Sequence, residues 1–308
     1  MPHQPVMLPQ ALEQLAIKED GIYVDCTFGR GGHSQGILDL LGAKGRLLAL
    51  DRDYDAINSN TATLMRKDPR FILRHGRFST LETWMKEADL IEKIDGIVMD
   101  LGVSSPQLDD PDRGFSFMRN GPLDMRMDNS ADLSAADWLN QVSEQDLSRV
   151  LHEYGEERFA NRIAQAIVKA RAVRPIVTTR DLAELIENAG VKRDPYKHPA
   201  TRVFQAIRIE INKELEELKT VLQQSINVLK HGGRLVVISF HSLEDRIVKQ
   251  FIRNESGAKY DPGRLPVKQA DIPQGRIIGK GKPLTAGALE IEQNPRARSA
   301  IMRVAEKR

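Results

Sequence analysis

The feature that most constrains the fold is an alternation of short apolar segments with helical stretches over the first hundred residues. Four apolar segments end at or near an aspartate or a glycine, and they cover 22–24, 46–50, 71–73 and 94–99. The stretches between them, such as 53–66 and 80–88, have the character of helices. Short strands alternating with helices predict a parallel sheet, because right-handed crossovers join parallel strands. We therefore expect an α/β fold.

The alternation stops at Gly102, where a segment rich in Asp, Gly, Pro and Met begins and runs to Leu133. Loops of this length without secondary structure are usually either functional or disordered. Apolar side chains favour order in this segment, and they are Phe115, Phe117, Met118, Met125 and Met127. We therefore expect an ordered loop over a cleft.

Helices are predicted after this loop. Ser134 and Ser143 each stand three residues before an aspartate, which is a weakened form of the capping box. The longest helix is predicted over 200–229, and His231-Gly232-Gly233 is expected to end it. These residues therefore predict a helical segment that follows the first four strands.

Two later apolar segments, 234–240 and 300–304, indicate that the sheet resumes after the helices. The simplest architecture is a sheet domain interrupted by a helical insertion. The predicted domains are a discontinuous sheet domain, 1–108 with 208–308, and an inserted all-helical domain, 109–207.

Composition excludes several classes of protein. With 308 residues, 41% of them hydrophobic, the chain can bury a sizeable core without disulfides or structural metals. Its single cysteine, Cys26, cannot form an intramolecular disulfide and suits a reducing compartment. No apolar run approaches the roughly 18 residues of a membrane span, and no secretory signal begins the sequence. We therefore expect a cytoplasmic protein that is not associated with a membrane.

The net charge of +2 hides an uneven distribution. From Arg246 to the end, 14 basic residues stand against 6 acidic ones, whereas residues 1–245 carry 31 basic and 37 acidic residues. A basic end on an acidic body predicts an anionic partner, with nucleic acid first, and the alternative is a solvated tail. Arg296 and Arg298 are candidates for phosphate contacts, unless they pair with local acids such as Glu290 or Glu292.

A glycine-rich turn follows the first predicted strand, in the sequence Asp25-Cys26-Thr27-Phe28-Gly29-Arg30-Gly31-Gly32-His33. Glycines let a backbone approach a ligand, and free amides at a helix start attract an anion. The spacing differs from the G-x-G-x-x-G of dinucleotide sites. Asp51 ends the second strand 22 residues beyond Gly29, where an acid can bind a ribose diol, although an acid there can also cap a helix.

The carboxyl ends of the predicted strands carry a set of acidic and aromatic residues. Because ligands of parallel sheets bind beyond these ends, we expect Asp25, Asp51, Phe78 and Asp100 to converge on one crevice. An acidic crevice suits S-adenosylmethionine, with its ribose and sulfonium, better than a dinucleotide with its pyrophosphate. Phe78 is placed to stack on adenine, or it belongs to the core.

Other reactive residues have two interpretations each. Cys26 is either a nucleophile for a pyrimidine ring or a small buried residue, and its place inside the turn favours burial. His33 and His241 are possible acid–base groups, with cofactor positioning as the alternative for His33 and structural hydrogen bonding for His241. An acidic run at Asp109, Asp110 and Asp112 lacks the acid that ends a calcium loop, so no protein-bound metal is expected.

The chain resembles, over nearly its whole length, the bacterial small-subunit ribosomal RNA cytosine-N4 methyltransferases of the RsmH, or MraW, type. The segments that carry the resemblance are DCTFGRGGHS at 25–34, LALDRD at 48–53, MDLGVSSPQLDD at 99–110, RGFSFMRNGPLDMRMD at 113–128, YGEERFANRIA at 154–164, HPATRVFQAIRI at 198–209, SFHSLEDRIVK at 239–249 and NPRARSAIMRVAEK at 294–307. An ordered set of this kind is far more specific than a single glycine motif.

The resemblance implies a class I, Rossmann-like S-adenosylmethionine-dependent methyltransferase sheet with a helical insertion that recognises the substrate. It implies methylation of a cytidine of 16S rRNA near the decoding centre, within the small ribosomal subunit and without an evident obligate protein partner. The family's cofactor contacts fall on Gly31, Gly32, His33, Asp51, Phe78, Asp100 and Gln107. Two alternatives remain: a nicotinamide-dependent oxidoreductase, and a non-catalytic RNA-binding protein on the same fold.

The chemistry of an exocyclic amine limits what such a site must do. The lone pair of a cytosine amine is delocalised into the ring, so the enzyme must align the amine with the methyl–sulfonium axis and hold its hydrogens on polar acceptors. Asp100 and groups of the loop 102–107 are the candidates. Whether Asp100 is catalytic or only binds the cofactor stays open at this point.

Overall fold

The computed structural model describes residues 5–190, 198–257 and 274–308. The chain divides into two compact units, Met1–Gly102 with Leu215–Arg308, and Val103–Glu214. The limits expected from the sequence, 109 and 207, lie slightly inside the second unit. The difference has a physical reason, because Val103 and Leu108 pack against the core of the helical unit.

The first unit is built on one eight-stranded sheet. Its strands are β1 (Ile22–Asp25), β2 (Arg46–Asp51), β3 (Phe71–His75), β4 (Ile94–Asp100), β5 (Leu229–Ser239), β6 (Ile277–Gly279), β7 (Leu284–Thr285) and β8 (Ile301–Lys307). The strand order is β3-β2-β1-β4-β5-β8-β6, and β7 pairs with β8. The first five strands run parallel, and β8 is antiparallel to its neighbours.

This arrangement confirms the α/β class, with a mostly parallel, Rossmann-like sheet. The two shortest strands, β6 and β7, were not expected, because three and two residues are too few to show a strand pattern. They are held by their pairing with β8.

Apolar helices and loops cover both faces of the sheet, as its continuous apolar strands require. Within β2, Leu48 and Leu50 belong to one hydrophobic cluster, whereas Leu47 and Ala49 belong to another. Alternate residues of a strand point to opposite faces, so the two clusters lie on the two sides of the sheet. In β1, β2 and β4, the acids of the site stand at the carboxyl end of the strand.

In its described residues, the sheet unit has eight α-helices. They are α1 (Leu8–Leu15), α2 (Gly32–Leu40), α3 (Tyr54–Ile57), α4 (Asn60–Met65), α5 (Leu81–Glu87), α12 (Glu214–Val228, from the unit boundary), α13 (Ser242–Glu255) and α14 (Ala288–Gln293), with α6 to α11 in the other unit. The single helix expected over 53–66 is two helices, because the Ser59 side chain accepts a hydrogen bond from Ala62 N and starts a new helix there.

The second unit is helical. Its helices are α6 (Ser105–Asp109), α7 (Ala135–Gln141), α8 (Glu144–Gly155), α9 (Ala160–Val173), α10 (Thr179–Asn188) and α11 (Ala200–Asn212). Ser134 and Ser143 cap α7 and α8, as their spacing to the following aspartates predicts. An isolated bridge between Pro122 and Thr178 is the β pairing in the described part of this unit, and the expectation of an all-helical insertion is confirmed.

The prediction of one long helix over 200–229 is wrong. α11 ends at Asn212, where Lys213 takes a left-handed conformation with φ of 52°, and α12 then runs only to Val228. His231-Gly232-Gly233 lies inside β5 and does not end a helix. A lysine in the left-handed region has no sequence signature, so the break could not be seen in the apolar pattern.

The segment between Gly102 and Leu133 is ordered, and its buried side chains belong to the helical unit. Phe115, Met125 and Met127 lie in that unit's hydrophobic core, whereas Met118 is 83% exposed. Buried Asn212 fixes the segment: its amide donates to Met125 O at 2.7 Å and its carbonyl accepts from Met127 N at 2.8 Å. The segment is therefore held by core packing and by buried hydrogen bonds to its backbone.

None of the helices in the described residues has the length and apolar character needed to cross a membrane.

Two glycines of the sheet unit form a matched pair for a stability test. Gly31 and Gly232 both have positive φ, of 77° and 73°, but a Cβ at Gly31 would lie 2.9 Å from Met65 Sδ and from the Phe28 ring, whereas nothing lies within 4 Å at Gly232. We expect Gly232→Ala to cost about 1–2 kcal/mol from backbone strain alone. Gly31→Ala adds about 1–3 kcal/mol of overpacking.

Calorimetric melting of both variants without ligand checks this expectation. Gly31→Ala should lower the melting temperature clearly more than Gly232→Ala. Equal shifts would show that the contacts with Met65 and Phe28 relax freely.

Candidate active site

The site begins at the turn after β1, where Asp25 is buried. One Asp25 oxygen accepts from Thr27 N at 3.0 Å, and the other accepts from Ser34 Oγ at 2.6 Å. Burial raises the pKa of Asp25, and the charge of His33 and these hydrogen bonds oppose the rise. Asp25 therefore shapes the turn from beneath, so the expectation that it faces a ligand in the crevice needs correction.

The glycines of the turn serve different purposes. Gly29 has φ of 53°, and among the described residues a Cβ there would meet only Thr27 O, at 3.9 Å, so its backbone is not closely packed. At Gly31 the space is filled by Phe28 and Met65, and at Gly32 it is filled by Pro5, whose Cγ would lie 2.1 Å away. Close packing, rather than approach of a ligand, therefore requires the last two glycines. No side chain caps the start of α2 behind them.

Asp51, at the end of β2, is tied to this turn. Its Oδ2 accepts from Gly29 N at 2.7 Å, and its Oδ1 accepts from Asp53 N at 2.8 Å. Burial raises the pKa of Asp51 to about 6, and the charges of Asp53 and Asp25 add to the rise. The cap of α3 is Asp53, whose side chain accepts from Asp55 N, so helix capping is not the function of Asp51.

Asp100, at the end of β4, lies beside the same turn. Its backbone N donates to Thr27 Oγ1 at 2.7 Å, and its buried Oδ1 has no hydrogen-bond partner among the described residues. Burial raises the pKa of Asp100 to about 6; the charge of His33 opposes the rise, whereas Asp25 and Glu244 add to it. A buried carboxylate oxygen without a partner is costly, so this atom is suited to accept a hydrogen bond from a ligand.

His33 connects the turn with Asp100. Its Nε2 lies 3.1 Å from Val6 O, and its Nδ1 lies 3.7 Å from Asp100 Oδ2. A carbonyl only accepts, so Nε2 carries a hydrogen and Nδ1 faces the carboxyl group. This contact is favourable when His33 or Asp100 holds a further proton, and His33 therefore positions Asp100 rather than projecting into open space.

Phe78 is the first residue of the short helical turn that follows β3, and it is half-buried. It packs against the sheet's hydrophobic core, so both interpretations of this residue apply: one part of the ring is core, and another part is accessible. Since the carboxyl ends of β1 to β4 meet at one edge of the sheet, Phe78 lies at the same edge as Asp51 and Asp100.

Gln107 belongs to the helical unit and is buried there. Its Oε1 accepts from Ser104 N at 2.9 Å, which completes the capping box at the start of α6. This local role is what the structure shows for Gln107, and a cofactor contact stays an implication of the resemblance.

The remaining reactive residues have structural surroundings. Cys26 is buried, and burial raises the pKa of its thiol well above the usual value, which argues against a thiolate nucleophile. Asp110 caps the turn at Pro111–Arg113, accepting from Asp112 N. In the described ranges, no group of three or more His, Cys, Asp or Glu residues is placed to hold a metal.

Four basic residues at the end of the chain form ion pairs, and two of these pairs use acids that lie outside the segment 246–308. The pairs are Arg303–Asp245, Arg276–Glu255, Lys280–Glu306 and Lys307–Glu92. Arg298 is exposed on the turn before β8, and Glu290 accepts from Met7 N at 2.6 Å. The charge balance therefore overstates the basic surface available to an anionic partner.

Sequence reasoning missed the supports of the site, Thr27 and Ser34. Thr27 bonds both Asp25 and the Asp100 backbone, and Ser34 bonds Asp25. Their hydroxyl groups within the glycine turn are the only signal in the sequence. The site that results is an acidic edge of the sheet held by buried hydrogen bonds.

A mostly parallel sheet with an antiparallel β8, and a glycine turn that meets an acid on β2, define a Rossmann-like α/β protein of the kind that binds a nucleoside-containing cofactor at this edge. The profile of the MraW methylase family matches residues 1–308. The chain belongs to the MraW methylase family. This membership removes the nicotinamide-dependent oxidoreductase from consideration.

Two curated relatives are similar over nearly their full length. "Ribosomal RNA small subunit methyltransferase H" of Methylococcus capsulatus is 57% identical over 302 residues, covering 98% of this chain and 99% of the relative. The protein of the same name from Hydrogenovibrio crunogenus is 54% identical over 305 residues, covering 99% and 96%. Among solved structures, fibrillarin of Aeropyrum pernix in complex with S-adenosyl-L-methionine is 11% identical, covering 97% of this chain and 73% of that chain, with a TM-score of 0.43.

Proposed function

We propose that this protein transfers a methyl group from S-adenosylmethionine to the exocyclic N4 amine of a cytidine in 16S rRNA, near the decoding centre and its P site. The single observation that carries the proposal is the unpartnered, buried Asp100 Oδ1 beside the glycine turn of a methylase-family chain. The names of the two curated relatives support ribosomal RNA of the small subunit as substrate. The reaction takes place in the cytoplasm, on the small ribosomal subunit, without an obligate protein partner.

The described residues fit this cofactor. Asp51 offers carboxylate oxygens for the ribose hydroxyl groups, the accessible part of Phe78 offers a face for the adenine, and Asp100 Oδ1 offers an acceptor for a donor of the methionine part. Gly31, Gly32, His33 and Gln107 complete the set that the family resemblance assigns. When bound, S-adenosylmethionine supplies an electrophilic methyl group on a sulfonium.

The chain's own residues then have three tasks. They hold the target amine in line with the methyl group, they accept the hydrogens of the amine, and they keep water from the site. Asp100 performs the second task, because its Oδ2 lies 3.7 Å from His33 Nδ1 and its Oδ1, with two lone pairs, accepts from the amine as well as from the cofactor. No base is needed before transfer, since the amine attacks as a neutral group.

Methyl transfer from tritiated S-adenosylmethionine to small ribosomal subunits tests the proposal. We expect label in 16S rRNA that increases with enzyme and time, with both the assembled subunit and its naked RNA supplied as substrates. Binding of subunits without transfer of label would instead favour a non-catalytic RNA-binding protein. Binding of NAD in place of S-adenosylmethionine would contradict the proposal.

Cofactor affinity should depend on pH. Asp51 and Asp100 both have pKa values of about 6 in the free protein, and hydrogen-bond donors of the ligand prefer the ionised carboxylates. The bound ligand therefore lowers both pKa values, so binding releases protons near pH 6. Between about pH 7.5 and about pH 5, the affinity should fall at least about tenfold.

Titration calorimetry with S-adenosylhomocysteine, in buffers that differ in ionisation enthalpy, measures this proton release. Asp51→Asn should remove the part of the proton release that comes from Asp51. An affinity independent of pH, without proton release, would show that these carboxyl groups do not bind the ligand.

A further inference from the structure

A second group of buried polar atoms lies at the carboxyl end of β5, outside the cofactor residues. Ser239 is 1% exposed, and its Oγ has no hydrogen-bond partner in the described part of the chain. The His241 side chain is 10% exposed, and neither of its ring nitrogens makes a hydrogen bond to a described residue. Buried polar atoms are nearly always paired, so three unpaired atoms within three residues need an explanation.

Glu244 holds the His241 ring in place. It is buried, and its Oε2 accepts from Phe240 N at 2.9 Å and from His241 N at 3.4 Å. Its Oε1 lies 3.2 Å from His241 Nε2. The carboxylate is thus fixed by backbone amides while it faces the imidazole, which is the arrangement that orients a histidine base and stabilises its protonated form.

Helix capping does not account for this pair. His241 is the N-cap residue of α13 and forms a capping-box arrangement with Glu244, in which the ring faces the Glu244 backbone N without a hydrogen bond to it in the described structure. The Glu244 carboxylate already accepts the two backbone amides that precede the helix. A serine or an aspartate would cap this helix better than an imidazole, so a capping role leaves the buried ring nitrogens unexplained.

The position of His241 in the sheet points to the methyl acceptor. Asp100 pairs with Ile238 across β4 and β5, and Leu101 N donates to Ile238 O at 3.0 Å. The turn after β1 and Asp51 on β2 lie on the other side of β4. The end of β5, with His241, therefore flanks Asp100 on the side that the cofactor residues leave free.

We infer that His241, oriented by Glu244, accepts the proton that the target amine loses when it is methylated. The inference rests on the proposed function. The amine nitrogen forms a bond to the methyl carbon, the carbon–sulfur bond breaks, and its electron pair stays on sulfur as a thioether. The cationic methylated amine then gives a proton to a His241 ring nitrogen, and the imidazolium is balanced by Glu244 before it releases the proton to water.

The charges around His241 agree with this role. Glu244 and Asp100 supply negative charge near the ring, and His33 lies on the far side of Asp100. On α13 and β8, Asp245 pairs with Arg303 at 2.6 Å, so those two charges compensate each other. Because both ring nitrogens are closed to water, binding of RNA must uncover one of them, which is a change of the kind common in regulated complexes.

The test measures single-turnover transfer of labelled methyl groups to small ribosomal subunits at saturating cofactor. His241→Ala and His241→Gln should each lower the rate at least about 100-fold, the usual share of a general base. Both should keep the cofactor affinity and the melting temperature close to those of the wild type. Imidazole added to His241→Ala should restore part of the rate, and 1,2,4-triazole, of similar size but much weaker as a base, should not.

Four results would overturn the inference: an unchanged rate in either variant, equal restoration by imidazole and triazole, restoration by neither, or a rate loss matched by lost cofactor affinity and a lower melting temperature. Absence of transfer by the wild type would instead contradict the proposed function itself. Asp245→Asn, on the same helix and paired with Arg303, is the control variant and should keep the wild-type rate.

Discussion

Replacement of Asp51 with alanine is expected to weaken S-adenosylmethionine binding by about 100-fold or more. Hydrogen bonds to a charged group contribute about 1.5–3 kcal/mol each, and two ribose hydroxyl groups on one carboxylate therefore account for about 3 kcal/mol or more. A difference of about 1.4 kcal/mol changes an affinity about tenfold. The Asp51 carboxylate is held at the turn by Gly29 N and Asp53 N, so it meets the ribose without reorganisation.

Titration calorimetry of the purified chain measures this loss. Asp39→Ala is the matched control, because it removes an exposed acid near the far end of α2 in the same unit. Asp51→Asn, which keeps one acceptor oxygen, should fall between the wild type and Asp51→Ala. If Asp51→Ala binds the cofactor as tightly as the wild type, the ribose does not bind at Asp51.

The second large effect is expected for Asp100→Asn. The single-turnover rate at saturating cofactor should fall about 100- to 1,000-fold, the usual loss when one fixed electrostatic contact to the reacting group is removed. Asparagine has the shape of aspartate, and the bond from the residue 100 backbone N to Thr27 Oγ1 is independent of the side chain. The variant therefore tests the charge and the acceptor oxygen rather than the fold.

Asp100→Asn should lower the rate of methyl transfer without lowering the stability of the folded protein. Burial raises the pKa of Asp100 to about 6, above its unfolded value of 3.8, so the folded protein binds this proton more readily. Its ionisation opposes folding progressively from about pH 4 to about pH 6, and the full cost persists at higher pH. Asp100→Asn removes that cost, so at pH 7.5 the melting temperature should be unchanged or higher.

A control variant separates Asp100 from other buried acids of the site. Asp53→Asn keeps the cap of α3, because asparagine caps as well as aspartate, and it should transfer methyl groups at the full rate. A full rate for Asp100→Asn, with only a raised requirement for cofactor, would assign Asp100 to cofactor binding alone.

The sheet was predictable because its strands are buried on both faces. Such strands form continuous apolar runs, and the runs at 22–24, 46–50 and 94–99 each end immediately before an aspartate. The convergence of Gly29 and Asp51 followed from the same pattern, since β1 and β2 are neighbours in the sheet.

Other features depend on contacts that a single sequence does not reveal. The left-handed Lys213 breaks an apolar stripe that continues through it, so two helices resemble one. Gly31 and Gly32 are required by Met65, Phe28 and Pro5, which come from other parts of the chain. Asp51 bonds the glycine turn and Asp53 caps α3, and this difference likewise depends on which amide each carboxylate reaches.

The measurement that tests the central claim most directly is the identity of the methylated nucleoside. After transfer of a labelled methyl group to small ribosomal subunits, the 16S rRNA is isolated, digested to nucleosides and separated by liquid chromatography with mass detection. The account expects the label in N4-methylcytidine, and no such label with Asp100→Asn at the same enzyme concentration and a short reaction time. Label in 5-methylcytidine, in another nucleoside, or in none would contradict it.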